Sequence, residues 1–339
     1  MRCAGLAWRS ACCGRRCRGR FAIVELKGLP GFRDFYPEEL GARAYVIGVW
    51  REVAHRYGFE EYDGPPLEPL DLYTRKSGSE IVAQLYEFED KGGRRVALRP
   101  EMTPTLARMV GARARALSKP VRWYSTPQLF RYERKQRGRL REHFQLNLDI
   151  IGEADVLADA ELLAAAIDVM QLAGLTSKQV RARVSDRRLL AAIFQHLGVR
   201  PGSLDSVYQV VDKLDREPRD RLEKQLRELG LEARTVAGIF EALKLRGIEE
   251  LRASFGKVTR VSENVAELSR YLEHLDDLGV GDFVDIDLSV VRGLAYYTGT
   301  VFELWDVRRA AGHLRWGPLR RVARADLRHR PAGPRLWDG

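Results

Sequence analysis

Cysteine is absent from most of this chain: Cys3, Cys12, Cys13 and Cys17 all lie near its start, and residues 21–306 contain none. That body can form no disulfide and hold no cysteine-ligated metal, which points to a reducing, cytoplasmic setting. Histidine is scarce too, with six in all, and no metal site built from Cys or His is expected. Long apolar runs are missing: none approaches the roughly 18 residues that a spanning helix requires, which excludes an integral membrane protein. Lysine and glutamate are missing from residues 1–20 and 307–339, although the body between uses both freely.

What is present is 339 residues with 57 Lys+Arg against 47 Asp+Glu, 45% hydrophobic and 31% charged. Such a composition describes a soluble globular protein of two or three domains. The formal charge of +10 invites a nucleic-acid reading, but it sits at the ends. Residues 1–20 carry +6, residues 307–339 carry +7, and the 286 residues between them carry −3. The first flank has the arginine content of a transit peptide, yet little serine and no amphipathic period. Its Cys12-Cys13-x3-Cys17 spacing is not that of a zinc site. An unstructured tail or a non-native start is the plainer reading. The last flank has paired arginines and no sustained helical or strand period. It reads as an RNA-binding arm or, more plainly, as a segment outside the fold.

The body is patterned throughout. Val46, Val49, Trp50, Val53 and Tyr57 recur at helical spacing, with Pro37 suited to the first turn and Gly58 to the stop, so a helix is expected over 37–57. Pro65 and Pro66 confine the next strand, ending at Leu67-Glu68, to an edge or an interface. Segments 84–90 and 94–99 flank Lys91-Gly92-Gly93 as a hairpin, and Thr103-Pro104 reads as N-cap and first turn of a helix to Ala116. Two strands, 123–134 and 141–151, flank the basic loop Lys135-Gln136-Arg137-Gly138-Arg139. Period-2 alternation places Phe144, Leu146, Leu148 and Ile150 on one face and Gln145, Asn147 and Asp149 on the other. A solvated sheet face explains that polar row as well as a binding site does. The mixture of Arg131, Glu133, Gln145 and Asp149 beside a cationic loop favours a site for an anionic, hydrogen-bonding ligand. Residues 156–278 read as mostly helical, opening with Leu162, Ala166, Val169 and Ala173 before Gly174. His196 and His274 in this stretch are assigned no role. Strand alternation resumes over 283–291. An arginine at its end, Arg292, followed by Tyr296, Tyr297 and Gly299, again marks a pocket.

Taken together these residues resemble histidyl-tRNA synthetase, a class II aminoacyl-tRNA synthetase, from about Lys27 to Asp306. The opening Gly31-Phe32-Arg33-Asp34-Phe35-Tyr36-Pro37-Glu38 is similar to the family's start, and Pro65 fits its motif 1 proline, at the dimer interface. Phe130-Arg131-Tyr132-Glu133-Arg134-x-Gln136-x-Gly138-Arg139-x-Arg141 resembles motif 2. Arg292-Gly293-Leu294-x-Tyr296-Tyr297-Thr298-Gly299-Thr300 resembles the histidine signature. The resemblance implies an α+β fold: an antiparallel sheet flanked by helices, with a helical insertion. The division expected is a basic flank outside the fold (1–24), a catalytic domain with motifs 1 and 2 (25–155), a helical insertion (156–278), the signature part of the catalytic domain (279–306), and an arginine-rich tail outside the fold (307–339).

The resemblance also implies a reaction: ATP and L-histidine form histidyl-adenylate, and the histidyl group passes to tRNA(His) on a homodimeric enzyme. Arg131 and Arg292 would act at the α-phosphate, Arg131, Glu133 and Arg139 would hold ATP, and Mg²⁺ would bridge its phosphates. Glu101, Thr103 and Gln145 would hold the histidine amine, while Asp149 and Tyr297 would read the imidazole. Departures from the pattern are His143-Phe144 before Gln145, Ala295 in place of an aspartate, and above all the end. The family continues past Asp306 into a Gly-rich segment, motif 3 and an anticodon-binding domain. Here only the arginine-rich tail follows, so the sequence predicts a truncation or frame change and weak or absent activity. The alternative is the synthetase-like regulatory subunit of ATP phosphoribosyltransferase, which shares the fold without charging tRNA. Intact motif 2 and signature arginines weigh against it.

Overall fold

In the computed structural model, residues 27–74, 82–132, 140–214, 216–291 and 298–307 are described, together with the backbone of 326–330. The first helix, α1 (Pro37–Arg56), has Pro37 in its opening turn, Glu38 and Glu39 at its positive end and His55 and Arg56 at its negative end, the arrangement the helix dipole favours. Gly58 then turns the chain with φ +71°. Val49, Trp50, Val53 and Ala54 bury the inner face, and the Tyr57 hydroxyl donates to Asp168 at 2.8 Å.

Short elements follow: β1 (Glu60–Glu61), β2 (Leu67–Pro69), α2 (Asp71–Thr74), β3 (Tyr86–Glu89), β4 (Arg95–Leu98) and α3 (Thr103–Arg113). The β3–β4 hairpin forms as its turn chemistry predicts, and with β2 it makes a sheet of order β2-β4-β3. Met102, not Thr103, occupies the N-cap of α3, with no side-chain cap bond. Pro104 fixes that first turn instead. The buried Glu68 of β2 ties the sheet to α3, accepting from Thr105 Oγ1 at 3.1 Å and pairing with Arg108 at 2.6 Å.

The two long strands expected over 123–134 and 141–151 are each broken. They form β5 (Val121–Ser125) and β6 (Gln128–Phe130), then β7 (Glu142–Phe144) and β8 (Asn147–Ile151). Pro127 has no N–H to give a ladder, and its carbonyl instead accepts from Gln145 N at 3.3 Å, where the second strand breaks. Strands β5 and β8 pair antiparallel with Trp123 opposite Asp149, and β6 and β7 pair antiparallel as a separate ribbon.

After β8 comes α4 (Val156–Leu172), capped by Asp155 accepting from Leu157 N. It is apolar nearly all round because it serves two cores. Val156, Ala160, Leu163, Ala164 and Ile167 face one cluster, while Ala158, Leu162, Ala165, Val169 and Met170 face the other, with α1 and β8. The stretch read as mostly helical then contains a strand, β9 (Val180–Asp186), before α5 (Arg187–His196), α6 (Leu204–Val211), α7 (Arg219–Glu228), α8 (Ala233–Ala242), α9 (Ile248–Phe255) and α10 (Thr259–Asp277). β9 lies between β10 (Val284–Ile286), parallel to it, and β11 (Thr300–Asp306), antiparallel to it. β10 is much shorter than the strand expected over 283–291. Asp287 accepts from Ser289 N at 3.1 Å and Oγ at 2.6 Å, and this local turn ends the ladder.

The tail also departs from expectation. Residues Asp326–Arg330 form β12, parallel to β8 with Asp326 opposite Asn147, giving a sheet of order β1-β5-β8-β12. Asn147 to Ile150 are buried, and buried backbone groups demand partners; β12 supplies them on the side of β8 away from β5.

Candidate functional site

Two groups of the expected site residues come together along the stretch 123–131. Arg99, at the end of β4, is buried, and its guanidinium donates to Gln128 O at 3.0 Å, Gly64 O at 2.7 Å and Asp63 Oδ1 at 2.6 Å. Its carbonyl accepts from Phe130 N at 3.0 Å. The turn that follows, with Glu101 (5% exposed) and Thr103, is thereby laid along β6. Arg131 closes the connection: its Nε donates to Pro100 O at 3.1 Å and its backbone N–H to Arg141 O at 2.9 Å. The residue expected at the α-phosphate is therefore bonded to the turn expected at the histidine amine.

The polar row that leads into β8 forms the second group. Gln145, Asn147 and Asp149 are 6%, 2% and 3% exposed, which overturns the solvated-face reading. Leu146, Leu148 and Ile150 occupy the opposite face, in the core with α1 and α4. Gln145 Nε2 donates to Asn147 Oδ1 at 3.0 Å, fixing the glutamine amide. Across the sheet Trp123 stands opposite Asp149 with its ring 5.5 Å from that of Tyr62. A buried row of amides and a carboxylate costs free energy unless each has partners. Such a row is built for a polar ligand or a structural network, not for water.

Other expected residues fall elsewhere. Pro65 is exposed beside the Gly64 and Pro66 carbonyls that bond Arg99. Glu133, Arg139, Arg292 and Tyr297 lie outside the described residues. Three residues that sequence reasoning passed over support the site: Arg99, Gln128 and Glu142. Glu142 is buried and accepts from Gln128 Nε2 at 2.6 Å and Arg33 N at 2.9 Å. Its position at the start of a strand gave no sign of burial, since glutamate is ordinarily exposed. A separate recess of about 580 Å³ opens beside β10 and α10, lined in part by Arg183, Arg246, Asp276, Asp285 and Asp287. Its charges largely answer one another: Asp287 lies 3.5 Å from both arginines, and Asp285 pairs with Arg181.

Replacing Arg99 by methionine keeps its length but leaves the Gln128 and Gly64 carbonyls short of a donor. At about 1–3 kcal/mol for each unsatisfied buried group, we expect a loss of roughly 2–4 kcal/mol in urea unfolding. A loss under about 0.5 kcal/mol, within the range of an ordinary surface change, would show that the guanidinium does not organise this turn.

Comparison with known proteins gives a consistent answer. The family model described as Histidyl-tRNA synthetase matches residues 31–324. The histidine–tRNA ligase of Opitutus terrae is 40% identical over 304 residues, covering 88% of this chain and 70% of that protein. The chloroplastic/mitochondrial histidine–tRNA ligase of Arabidopsis thaliana is 40% identical over 283 residues, 84% of this chain and 58% of its own length. The Haloarcula marismortui ligase is 43% identical, covering 81% of this chain and 63% of that protein. The chain thus spans roughly three-fifths to seven-tenths of these curated relatives. The fold matches the crystal structure of histidyl-tRNA synthetase from Nostoc sp., with TM-score 0.74 at 23% identity over 85% of this chain and 67% of that one. It also matches a Bacillus halodurans structure titled as an ATP phosphoribosyltransferase regulatory subunit/histidyl-tRNA synthetase, with TM-score 0.73 at 24% identity over 84% and 73% of the two chains. With the family model covering most of its length and relatives 40% identical or more, this chain belongs to the histidyl-tRNA synthetase family.

Proposed function

We propose that the chain carries the amino-acid and α-phosphate half of a histidine–tRNA ligase site. The histidine carboxylate attacks the α-phosphorus of ATP, a new P–O bond forms, and the bond to pyrophosphate breaks with its electron pair leaving on pyrophosphate. The histidyl group then passes from the adenylate to tRNA(His). Negative charge grows on the α-phosphate oxygens during attack, and fixed cations lower that barrier because they need not reorganise. Arg131 fills this role, with Arg292 on the opposite side and Glu133 and Arg139 on the nucleotide. Glu101, Thr103 and Gln145 take the α-amine, and Asp149 with Tyr297 takes the ring nitrogens. The observation that carries the reading is the burial of Gln145, Asn147 and Asp149 on one strand face, next to the stretch from which Arg131 reaches the Pro100 carbonyl.

No group of three or more His, Cys, Asp or Glu able to hold a metal ion gathers among the described residues. Mg²⁺ fits as an ion that keeps waters and binds through substrate phosphates, where it would offset their charge. A homodimer through the exposed Pro65 segment and a cytoplasmic location belong to the same proposal. No helix among the described residues is long and apolar enough to cross a membrane. The regulatory-subunit reading gains only a shared fold from the Bacillus halodurans structure.

The test is calorimetric titration of the chain with L-histidine, phenylalanine and lysine. Histidine should bind at least 100-fold more tightly than phenylalanine, because an analogue without ring N–H groups leaves the site's polar groups unpaired. Equal affinities would sink the proposal. Stable complex formation with the transferase, together with histidine feedback on that transferase in the complex, would favour the regulatory reading.

A further inference from the structure

The segment before α1 is fastened to motif 2 at more points than an opening strap needs. Gly31 adopts φ +94°, and a Cβ there would lie 2.8 Å from Arg141 Cγ and 3.0 Å from its Cβ. The Cβ of Arg141 cannot move without the backbone, and its Cγ only by leaving the rotamer that stacks over Tyr132. Arg141 N donates to Gly31 O at 3.0 Å, and Arg141 Nη1 to Pro30 O at 3.4 Å. Two residues after Gly31, Arg33 N donates to the buried Glu142, whose other oxygen accepts from Gln128 Nε2. The Phe32 ring lies 6.3 Å from Phe130 and 6.0 Å from Tyr86. Arg141 itself stacks over Tyr132 at 4.1 Å, and its carbonyl accepts the backbone N–H of Arg131.

We propose that this strap is a positioning clamp for Arg131, with Gly31 and Glu142 as its two positioning residues. The inference rests on the reading of Arg131 as the α-phosphate cation and adds how that cation is held. Motif 2 is a hairpin of three-residue strands, too short to fix a guanidinium by ladder bonds alone. The strap holds it from outside: Gly31 lets the backbone approach Arg141, and Glu142 of β7 binds both Arg33 of the strap and Gln128 of β6. Only glycine meets both the left-handed φ and the close approach.

Amide exchange at Arg131, followed by NMR in Gly31→Ala, Glu142→Ala and Glu142→Gln, tests the clamp without any activity. Gly31→Ala and Glu142→Ala should speed exchange of the Arg131 amide by tenfold or more while leaving Leu148 and Ile150 of β8 unchanged. Glu142→Gln, which keeps an acceptor oxygen for Arg33 N and can donate to Gln128 once that amide flips, should restore most of the protection. In parallel, histidine affinity should stay within about threefold of the parent chain, while histidine-dependent pyrophosphate exchange, relative to the parent, falls 10- to 100-fold. Unchanged Arg131 protection in both disruptive variants overturns the clamp, and so does equal loss of protection in β8. If the parent chain shows no histidine-dependent exchange and no histidine binding, the functional reading fails, and the amide protection still decides the clamp.

Discussion

Asp149→Asn should weaken L-histidine binding by roughly 10- to 100-fold while leaving the unfolding midpoint almost unchanged. The substitution is isosteric and keeps an acceptor oxygen, so the position opposite Trp123 in the sheet is filled as before. What it removes is the negative charge in a site 3% exposed, and a hydrogen bond to a charged group contributes about 1.5–3 kcal/mol. By the same logic the preference for histidine over phenylalanine should shrink, because it depends on the unmet demand of buried polar groups. ATP affinity should hold, since the nucleotide is assigned to Arg131 and its neighbours. Titration of both ligands, with a urea melt as control, reads all three quantities. Histidine affinity within twofold of the parent chain would remove Asp149 from the site.

The polar row that leads into β8 was legible in the sequence as a pattern but not as a site. Alternation alone placed Gln145, Asn147 and Asp149 on one face and put Leu146, Leu148 and Ile150 opposite, and the core confirms that division. Whether the polar face met water or protein depends on what covers it, which a period of two cannot say. The mixture of Arg131, Glu133, Gln145 and Asp149 beside a cationic loop tilted the choice towards a site, and the burial of the row excludes a solvated face. Arg99 shows the same limit: in the sequence it is one more cation after a strand, and only the fold brings it to the carbonyls of Gly64 and Gln128.

Helices were read more easily than strands. α1 had an apolar stripe, a proline start and a glycine stop, and it spans Pro37–Arg56 as these predict. β9 was missed because Val180-Arg181-Ala182-Arg183-Val184 alternates with arginine and alanine inside a helical stretch. Alanine has little strand preference, and tertiary pairing with β10 and β11 decides its state. The strands over 123–134 and 141–151 were overextended because alternation alone does not register a residue such as Pro127, which has no N–H to give a ladder. β12 had no sequence signal at all; its pairing answers the needs of β8.

Asp159 gives the largest expected effect on stability. It lies on α4, amid the groups that join that helix to α5 and α10, and burial pushes its carboxyl up to about 7. Asp186 and Glu267 push in the same direction, while Arg188, paired with both at 2.9 Å and 2.7 Å, opposes them. The phenol of Tyr271, fully buried nearby, is itself driven upward by burial and then by Asp159. Because the folded carboxyl holds its proton to higher pH than the unfolded one, with its ordinary value of 3.8, folding takes up a proton between about pH 4 and pH 7. Stability from this group therefore falls as pH rises through that window and levels off above it. At 1.36 kcal/mol per pKa unit the full cost approaches about 4 kcal/mol, less to the extent that water reaches the half-buried carboxyl. Asp159→Asn removes the charge and keeps the shape. It should match the parent near pH 4 and exceed its stability by roughly 2–4 kcal/mol at pH 8, measured as the difference between urea unfolding curves at each pH. Comparing the two proteins at the same pH cancels the titration of every other carboxylate. A variant that runs parallel to the parent from pH 4 to pH 8, or that is less stable at pH 8, would mean that Asp159 is ionised in the fold and that the Arg188 pair outweighs its burial.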